Sequence, residues 1–390
     1  MILRKPSAAN AHLEKPLIKS VAPLAPLAAL SASHWQALPK VLLHEHLDGG
    51  LRPQTLLALC RARGLSVPAE EAEGLATWVR ANANSGSLER YLQGFALTVA
   101  AMASAEACER VAFEAAEDAR LDGCVLAEFR IAPLLLEPLG LAGEVAVEAL
   151  LRGLKRSALP SGLIVCAMRT EPPEHTARSA RLAARYAGHG VIGFDLAGAE
   201  RGFPPGPHAQ AFAIAGDAGL GLTCHAGEAD DGARVLEAAA LGASRIGHGV
   251  NIMQGFGIEP PLGVEPGGGP QSAAAQRAAR LVDEARRRGL HFEVCPTSNL
   301  HTGAAASLAA HPVAAMVRAG LSVSVSTDNR LMSGVTLSGE LQAVHEHCGL
   351  SLGQIIEMTR EGARASFMPA AAREAALAAL DGWHAGRPAP

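Results

Sequence analysis

Eight short runs rich in Val, Ile and Leu punctuate this chain of 390 residues, and Ala- and Leu-rich stretches with charges at helical spacing separate most of them. The runs are KVLLHEH (40–46), GCVLAEFRIAP (123–133), GLIVCAMR (162–169), GVIGFDLAG (190–198), GLGLTCHAG (219–227), SRIGHGV (244–250), GLHFEVCP (289–296) and GLSVSVSTD (320–328). Being apolar on both faces, they read as strands buried on both sides, the situation of a parallel sheet covered by helices. Stretches such as ACERVAFEAAEDARLD (107–122) and AAAQRAARLVDEARRRG (273–289) supply the crossovers. Strand and helix alternating eight times predict an α/β fold, the (β/α)8 TIM barrel. Length alone allows two or three domains. The alternation favours a single barrel domain over 38–390, preceded by an N-terminal tail over 1–37.

Two excursions break the regular spacing. Between the first and second runs lies a helical insertion that includes ATWVRANANSGSLERYLQGF (76–95), with Ser87 as N-cap and Leu88, Tyr91, Leu92 and Phe95 sharing a face. It leaves from the C-terminal end of a strand, the functional face of such barrels, so it is either an extra packing helix or a wall of a pocket. The second excursion is a Gly/Pro loop after the sixth run, GFGIEPPLGVEPGGGP (255–270).

Composition narrows the partners. A formal charge of −4 gives no reason to expect nucleic acid or an anionic membrane. No apolar stretch approaches the roughly 20 residues that span a bilayer. The segment SVAPLAPLAALSAS (20–33) is interrupted by prolines and preceded by a long polar stretch, so it reads as tail and not as signal peptide. Seven cysteines without a C-x-x-C pair fit a reducing cytoplasm.

Groups that bind metals recur at the ends of these runs: His44 and His46, His225, His248 and Asp328. A lone histidine is more often structural than a ligand, and with 15 histidines some pairs arise by chance. His44 and His46, however, are two apart on a strand, and a period of two points both imidazoles to the same side. With His225 and Asp328 they make an N3O set suited to zinc with room for a water, the open arrangement of a catalytic site. His248 is a further possible ligand; since four suffice, it is read as the side chain that orients the attacking water. Glu228, three residues after His225, is placed to move protons, although a carboxylate favoured by a helix N-terminus would occupy the same position.

The motifs LPKVLLHEHLDGGLRP, SGSLERYLQGF, DGCVLAEFRIAP, GFDLAGAE, HAGE, RIGHGV, EVCPTSN and STDNRLMSG follow one another between Leu38 and Phe367. In that order they resemble the adenosine deaminase family, and in particular bacterial members with TDNRLMSG. The resemblance implies one Zn2+ held by His44, His46, His225 and Asp328. It implies that Glu228 protonates purine N1 while zinc-bound hydroxide, beside His248, attacks C6 of adenosine or 2′-deoxyadenosine, giving inosine or its deoxy form and ammonia. His46, Asp48, Gly198 and Asn329 match substrate-binding positions: Asp48 for the ribose 5′-hydroxyl, Gly198 for N3 through its backbone, and Asn329 for N7. The implied partner is a small purine nucleoside.

One position departs from the family pattern, which usually has two consecutive aspartates where this chain has Asp328-Asn329. An aspartate must be protonated to donate to N7, whereas an asparagine amide donates at any pH. Three other readings compete. A binuclear amidohydrolase usually needs a bridging carboxylated lysine after the fourth strand, but GFDLAG stands there and Lys155 is the only lysine beyond Lys40. The same chemistry on adenine or a modified adenine nucleoside such as aminodeoxyfutalosine is closer. A non-catalytic zinc-binding barrel is the third; the retained Glu228 and the open metal position argue against it.

Overall fold

The computed structural model describes residues 30–255 and 273–385. Eight strands, β1 (Lys40–His46), β2 (Cys124–Ile131), β3 (Ser161–Met168), β4 (Val191–Ala197), β5 (Gly221–Ala226), β6 (Arg245–His248), β7 (His291–Val294) and β8 (Ser322–Val325), pair in parallel and in chain order. The eight apolar runs thus became the eight strands of a TIM barrel. Their residues are buried on both faces, as in β1 and β4, because side chains fill the barrel and helices cover it.

The seam between β8 and β1 is closed beyond the end of β8. His46 donates its N–H to Asp328 O at 2.7 Å, and Asp328 donates to His44 O at 2.9 Å. Glu45 points to the other side of β1 and ties the same two segments, accepting from Thr327 Oγ1 at 2.8 Å and from Arg330 Nε. The chain therefore fastens the segment that carries Asp328 to the one that carries His44 and His46 by both backbone and side chain.

The insertion after β1 forms the helices Pro53–Ala62, Ala72–Ala83, Leu88–Gln93 and Phe95–Met102 before the crossover helix Ala105–Leu121. Ser87 caps the third of these, its hydroxyl accepting from Arg90 N. At the other end of the barrel, Lys40 is fully buried and its Nζ donates to Trp35 O and Leu38 O at 2.7 Å and to Gln36 O at 3.1 Å. This spends the charge on the C-terminal carbonyls of the helix Ala32–Ala37. That helix belongs to the compact unit that begins at Ala32. The tail up to residue 29 and the Gly/Pro segment after Gly255 lie outside the described residues. No described helix is long and apolar enough to cross a membrane.

The helix Leu337–His347 buries an acid at a measurable cost. Glu340 accepts the Thr297 N–H at 3.1 Å with one oxygen, and the other has no hydrogen-bond partner. Burial raises its carboxyl from 4.5 to about 7. The folded state therefore holds this proton more tightly than the unfolded one, so the contribution to stability is complete below the unfolded value and is lost as pH rises through the folded one. Glu340→Gln is expected to remove that loss and to gain up to about 3 kcal/mol over wild type near pH 8. Urea midpoints measured across pH check it, and parallel profiles for the two proteins would show that Glu340 is not the source.

Candidate active site

The C-terminal ends of the strands bring together residues that the sequence scatters over nearly three hundred positions. His44, His46, His225 and Asp328 each place a ligand atom within 4.8 Å of the others. His46 Nε2 lies 3.2 Å from His225 Nε2, and His44 Nε2 lies 3.3 Å from Asp328 Oδ1. Asp328 is not on β8 but three residues past Val325, in a left-handed conformation with φ 58°. His248, at the end of β6, has φ 62°. These are the two non-glycine residues of positive φ among the described residues, and such strain collects where surrounding structure holds a side chain to a task.

The ligand rings are fixed from behind. His44 Nδ1 meets Glu293 Oε2 at 2.9 Å and His225 Nδ1 meets Asp195 Oδ2 at 3.0 Å, both carboxylates being fully buried. With Nδ1 occupied, each ring turns Nε2 to the common centre, the arrangement by which outer carboxylates orient metal-binding imidazoles. Ser298 Oγ donates to Asp328 Oδ2 at 2.5 Å, which leaves Oδ1 facing the same centre. His44 Nε2 is buried and has no hydrogen-bond partner. Burial holds His46 and His225 below the usual imidazole range, so both can offer lone pairs. Buried lone pairs that face one another without a donor fit a cation, and three imidazoles with one carboxylate fit zinc chemistry.

His248 stands beside this group, its Nε2 3.6 Å from Glu228 Oε2; it also lies within ligand distance of His44 and Cys295. Glu228 is 3% exposed and accepts from Thr302 Oγ1 at 2.9 Å. Burial, and then the neighbouring Asp328 charge, raise its carboxyl to about 8. Asp48 follows β1 in the short turn Leu47–Gly49; burial raises it to about 7, and its Oδ1 has no partner. A Cβ on Gly49 would lie 1.8 Å from Asn329 Oδ1, so only glycine lets the turn pass this close to Asn329.

A cavity of about 510 Å³ opens over these groups. His46, Asp48, Gly198, His225, Glu228, His248, Asp328 and Asn329 line its floor, while Leu88, Tyr91, Leu92, Phe95, Leu135 and Met168 form an apolar wall. The insertion after β1 is therefore a pocket wall as well as a packing element. Every expected site residue borders the cavity except His44, which lies beneath it and is fully buried. Of the lysines within the described residues, Lys40 is bonded to carbonyls and Lys155 sits in the crossover helix Gly143–Arg156, so neither bridges a second metal.

Sequence reasoning missed the residues that hold this site in place. Asp195 and Glu293 were detectable as lone acids inside apolar strands. Glu200 ends the GFDLAGAE motif and accepts the N–H groups of Gly227, Glu228, Ala229 and Asp230 at 2.5, 2.9, 2.8 and 3.1 Å. Gly227 makes this convergence possible with φ 69°. From the other side Asn251 Nδ2 donates to Glu228 O and Asp230 O, each at 2.8 Å. The loop that carries Glu228 is clamped at its donors and its acceptors alike.

The family model described as adenosine deaminase matches residues 39–383. The chain belongs to the adenosine deaminase family. An adenosine deaminase of Mycobacterium sp. (strain JLS) is 41% identical over 345 residues, 85% of this chain and 91% of the relative. The Mycobacterium tuberculosis (strain H37Rv) adenosine deaminase is 40% identical over 340 residues, covering 85% and 90%. Among solved structures, an adenine deaminase from Arthrobacter aurescens superposes with a TM-score of 0.76 at 24% identity, over 90% of this chain and 100% of that one. A zinc-bound amidohydrolase from Burkholderia ambifaria gives 0.77 at 22%, over 93% and 95%. At those identities the structures bear on the fold, which they share. Family membership makes this protein a hydrolytic deaminase of the adenosine and adenine type. The family is metal-dependent, and the four-ligand cluster is its potential metal site here.

Proposed function

We propose that this enzyme deaminates adenosine and 2′-deoxyadenosine hydrolytically, with one zinc ion per chain, in a single catalytic domain that runs from Leu38 onward. The observation that carries the reading is the buried Glu228, its carboxyl raised by burial, beside an N3O cluster, under a cavity whose wall is apolar and whose floor is polar. Purine faces suit such a wall, and the few polar groups on the floor suit its ring nitrogens. The relatives of about 40% identity that carry the name adenosine deaminase support the nucleoside over the free base. Seven free cysteines support a reducing cytoplasm as its setting.

Zinc at His44, His46, His225 and Asp328 would supply the Lewis acid that makes water a nucleophile at neutral pH. The chain's own residues do the rest. Glu228 delivers its proton to N1, which lets C6 accept the incoming oxygen. His248 hydrogen-bonds the attacking water and holds it on one face of the ring. Gly198 offers its backbone N–H to N3, Asp48 meets the ribose 5′-hydroxyl, and Asn329 donates from its NH2 to N7. Asn329 Oδ1 is buried without a hydrogen-bond partner.

Loss of ultraviolet absorbance as adenosine becomes inosine tests the reading, run beside 2′-deoxyadenosine, adenine and aminodeoxyfutalosine. Adenosine and its deoxy form are expected to react with similar kcat/KM and adenine far more slowly. A preference for adenine or aminodeoxyfutalosine would replace the substrate, and no turnover of any of them by metal-loaded protein would end the enzymatic reading. Metal analysis is expected to give about one equivalent of zinc, since four ligands complete one site with an open position. Two equivalents in active protein would overturn the mononuclear assignment.

Asn329 gives a sharper test. Asn329→Leu leaves N7 as a buried acceptor without a donor and is expected to lower kcat/KM for adenosine by roughly 1–3 kcal/mol. The substrate 7-deazaadenosine, which lacks N7, is expected to react poorly with wild type and to lose much less on the same substitution. Equal losses for both would show that Asn329 does not touch N7.

A further inference from the structure

A buried chain of hydrogen bonds runs from the backbone of the helix Val313–Arg318 to His248, and its direction is fixed at its source. The Val313 N–H can only donate, and it does so to His311 Nδ1 at 3.1 Å. A ring that accepts at Nδ1 carries its proton on Nε2. His311 Nε2 therefore donates to the oxygen it meets, Asn299 Oδ1, at 3.2 Å. With its oxygen assigned, the Asn299 amide turns its NH2 outward, and Nδ2 meets His248 Nδ1 at 3.1 Å. His248 Nδ1 must then accept. All four residues are at most 5% exposed, so water does not compete for these positions.

We propose that His311 and Asn299 are positioning residues that lock His248 in the tautomer with its proton on Nε2. Two consequences follow for the site. His248 is a hydrogen-bond donor towards the reacting water, not a base that takes the water's proton. It also cannot ligate a metal through Nε2, because that nitrogen has no free lone pair while Nδ1 is accepting; the ligand set stays at His44, His46, His225 and Asp328. The first consequence rests on the proposed role of His248 in the reaction; the tautomer itself rests on the hydrogen-bond chain alone.

The logic is that of other enzymes in which a partner group selects a histidine tautomer. In a Ser-His-Asp triad, a substitution that keeps the geometry but presents the wrong tautomer lowers kcat by about 10⁴-fold. Here the control is two bonds away and the alternative tautomer is not enforced, so a smaller loss of about 10–10²-fold is expected when the chain is cut. Asn299 also lies 3.5 Å from Glu228 Oε1, which makes His311 the cleaner place to cut because it does not touch Glu228.

The experiment uses zinc-loaded full-length protein with ¹⁵N-labelled histidine, the His248 signals being assigned by their absence in His248→Ala. In wild type, His248 is expected to show a protonated Nε2 and a pyridine-type Nδ1. His311→Phe removes the donor to Asn299 and is expected to populate the Nδ1–H form, with kcat lowered, KM for adenosine little changed and zinc content unchanged. His311→Gln, whose NH2 reaches the same place, is expected to keep the wild-type signature and a kcat within a few-fold. Should His311→Phe not fold, Asn299→Asp serves: a carboxylate can only accept, so it should invert the tautomer. An Nδ1–H signature in wild type, or unchanged His248 signals in both His311→Phe and Asn299→Asp, would overturn the proposal. So would equal losses of kcat in His311→Phe and His311→Gln with the tautomer unaltered. If the tautomers shift as described while His248→Ala stays fully active, the lock stands and the reading of His248 in the reaction falls.

Discussion

Glu228→Gln is expected to keep its zinc and to lose about 10²–10⁴-fold in kcat, the usual contribution of a general acid or base. Glutamine is nearly isosteric, and the Thr302 hydroxyl can still donate to its amide oxygen as it does to Glu228 Oε1 at 2.9 Å. The clamp by Glu200 and Asn251 acts on the backbone of the loop and does not depend on the side chain at 228. What the amide cannot do is deliver a proton to N1. KM for adenosine is expected to change far less than kcat, because the missing step occurs after binding. The check is steady-state kinetics with zinc content measured on the same preparation. Activity within a few-fold of wild type would remove Glu228 from the mechanism.

Arg130→Met is expected to cost about 3–5 kcal/mol of stability, the typical price of leaving a buried charge without its partner. Arg130 is fully buried on β2, donating from Nη1 to Asp195 Oδ2 at 3.0 Å and from Nη2 to Glu293 Oε2 at 2.6 Å and Leu43 O at 2.7 Å. Arg245 extends the chain, with Nε 2.5 Å from Glu293 Oε1 and Nη1 2.6 Å from Glu128 Oε2. The barrel interior thus holds alternating charges, from Glu128 to the two carboxylates that orient His44 and His225. Methionine preserves volume but leaves Asp195 with no cation, only the neutral His225 ring and the Cys166 thiol as partners. Because those carboxylates set the ligand rings, zinc affinity should fall as well, by about 10–100-fold, as for other outer partners of metal-binding histidines. Urea denaturation of the metal-loaded protein and a chelator competition measure the two effects. A destabilisation below about 1 kcal/mol would show that the remaining partners satisfy Asp195 and Glu293 without Arg130.

The family and the chemistry of the ligands were legible because they are carried by short segments. Eight apolar runs named the barrel, and the rule that barrel sites sit at the C-terminal ends of strands picked out His44, His46, His225 and His248 from fifteen histidines. Ser87 was legible as a cap because capping is decided within one turn of helix. The helical insertion was legible, but not whether it packed or lined a pocket. That depended on which way the face with Leu88, Tyr91 and Leu92 turned, and only packing against the barrel mouth decides it.

The supporting residues were not legible for the same reason. Asp195 and His225 are thirty residues apart, Glu293 and His44 are separated by most of the chain, and no local rule pairs them. Local rules also did not single out His248 and Asp328 for positive φ; Asp and His tolerate it better than most residues, but most of them do not adopt it, and tertiary contacts impose it here. The sequence by itself determined the strand and helix succession and the family, because periodicity and motif chemistry are local properties. The tertiary structure alone decided which carboxylates stand behind which imidazoles, how deeply Glu228 is buried, and that Asn299 stands against His248 Nδ1. Those are consequences of burial and of distances between remote segments, which exist only once the barrel has closed.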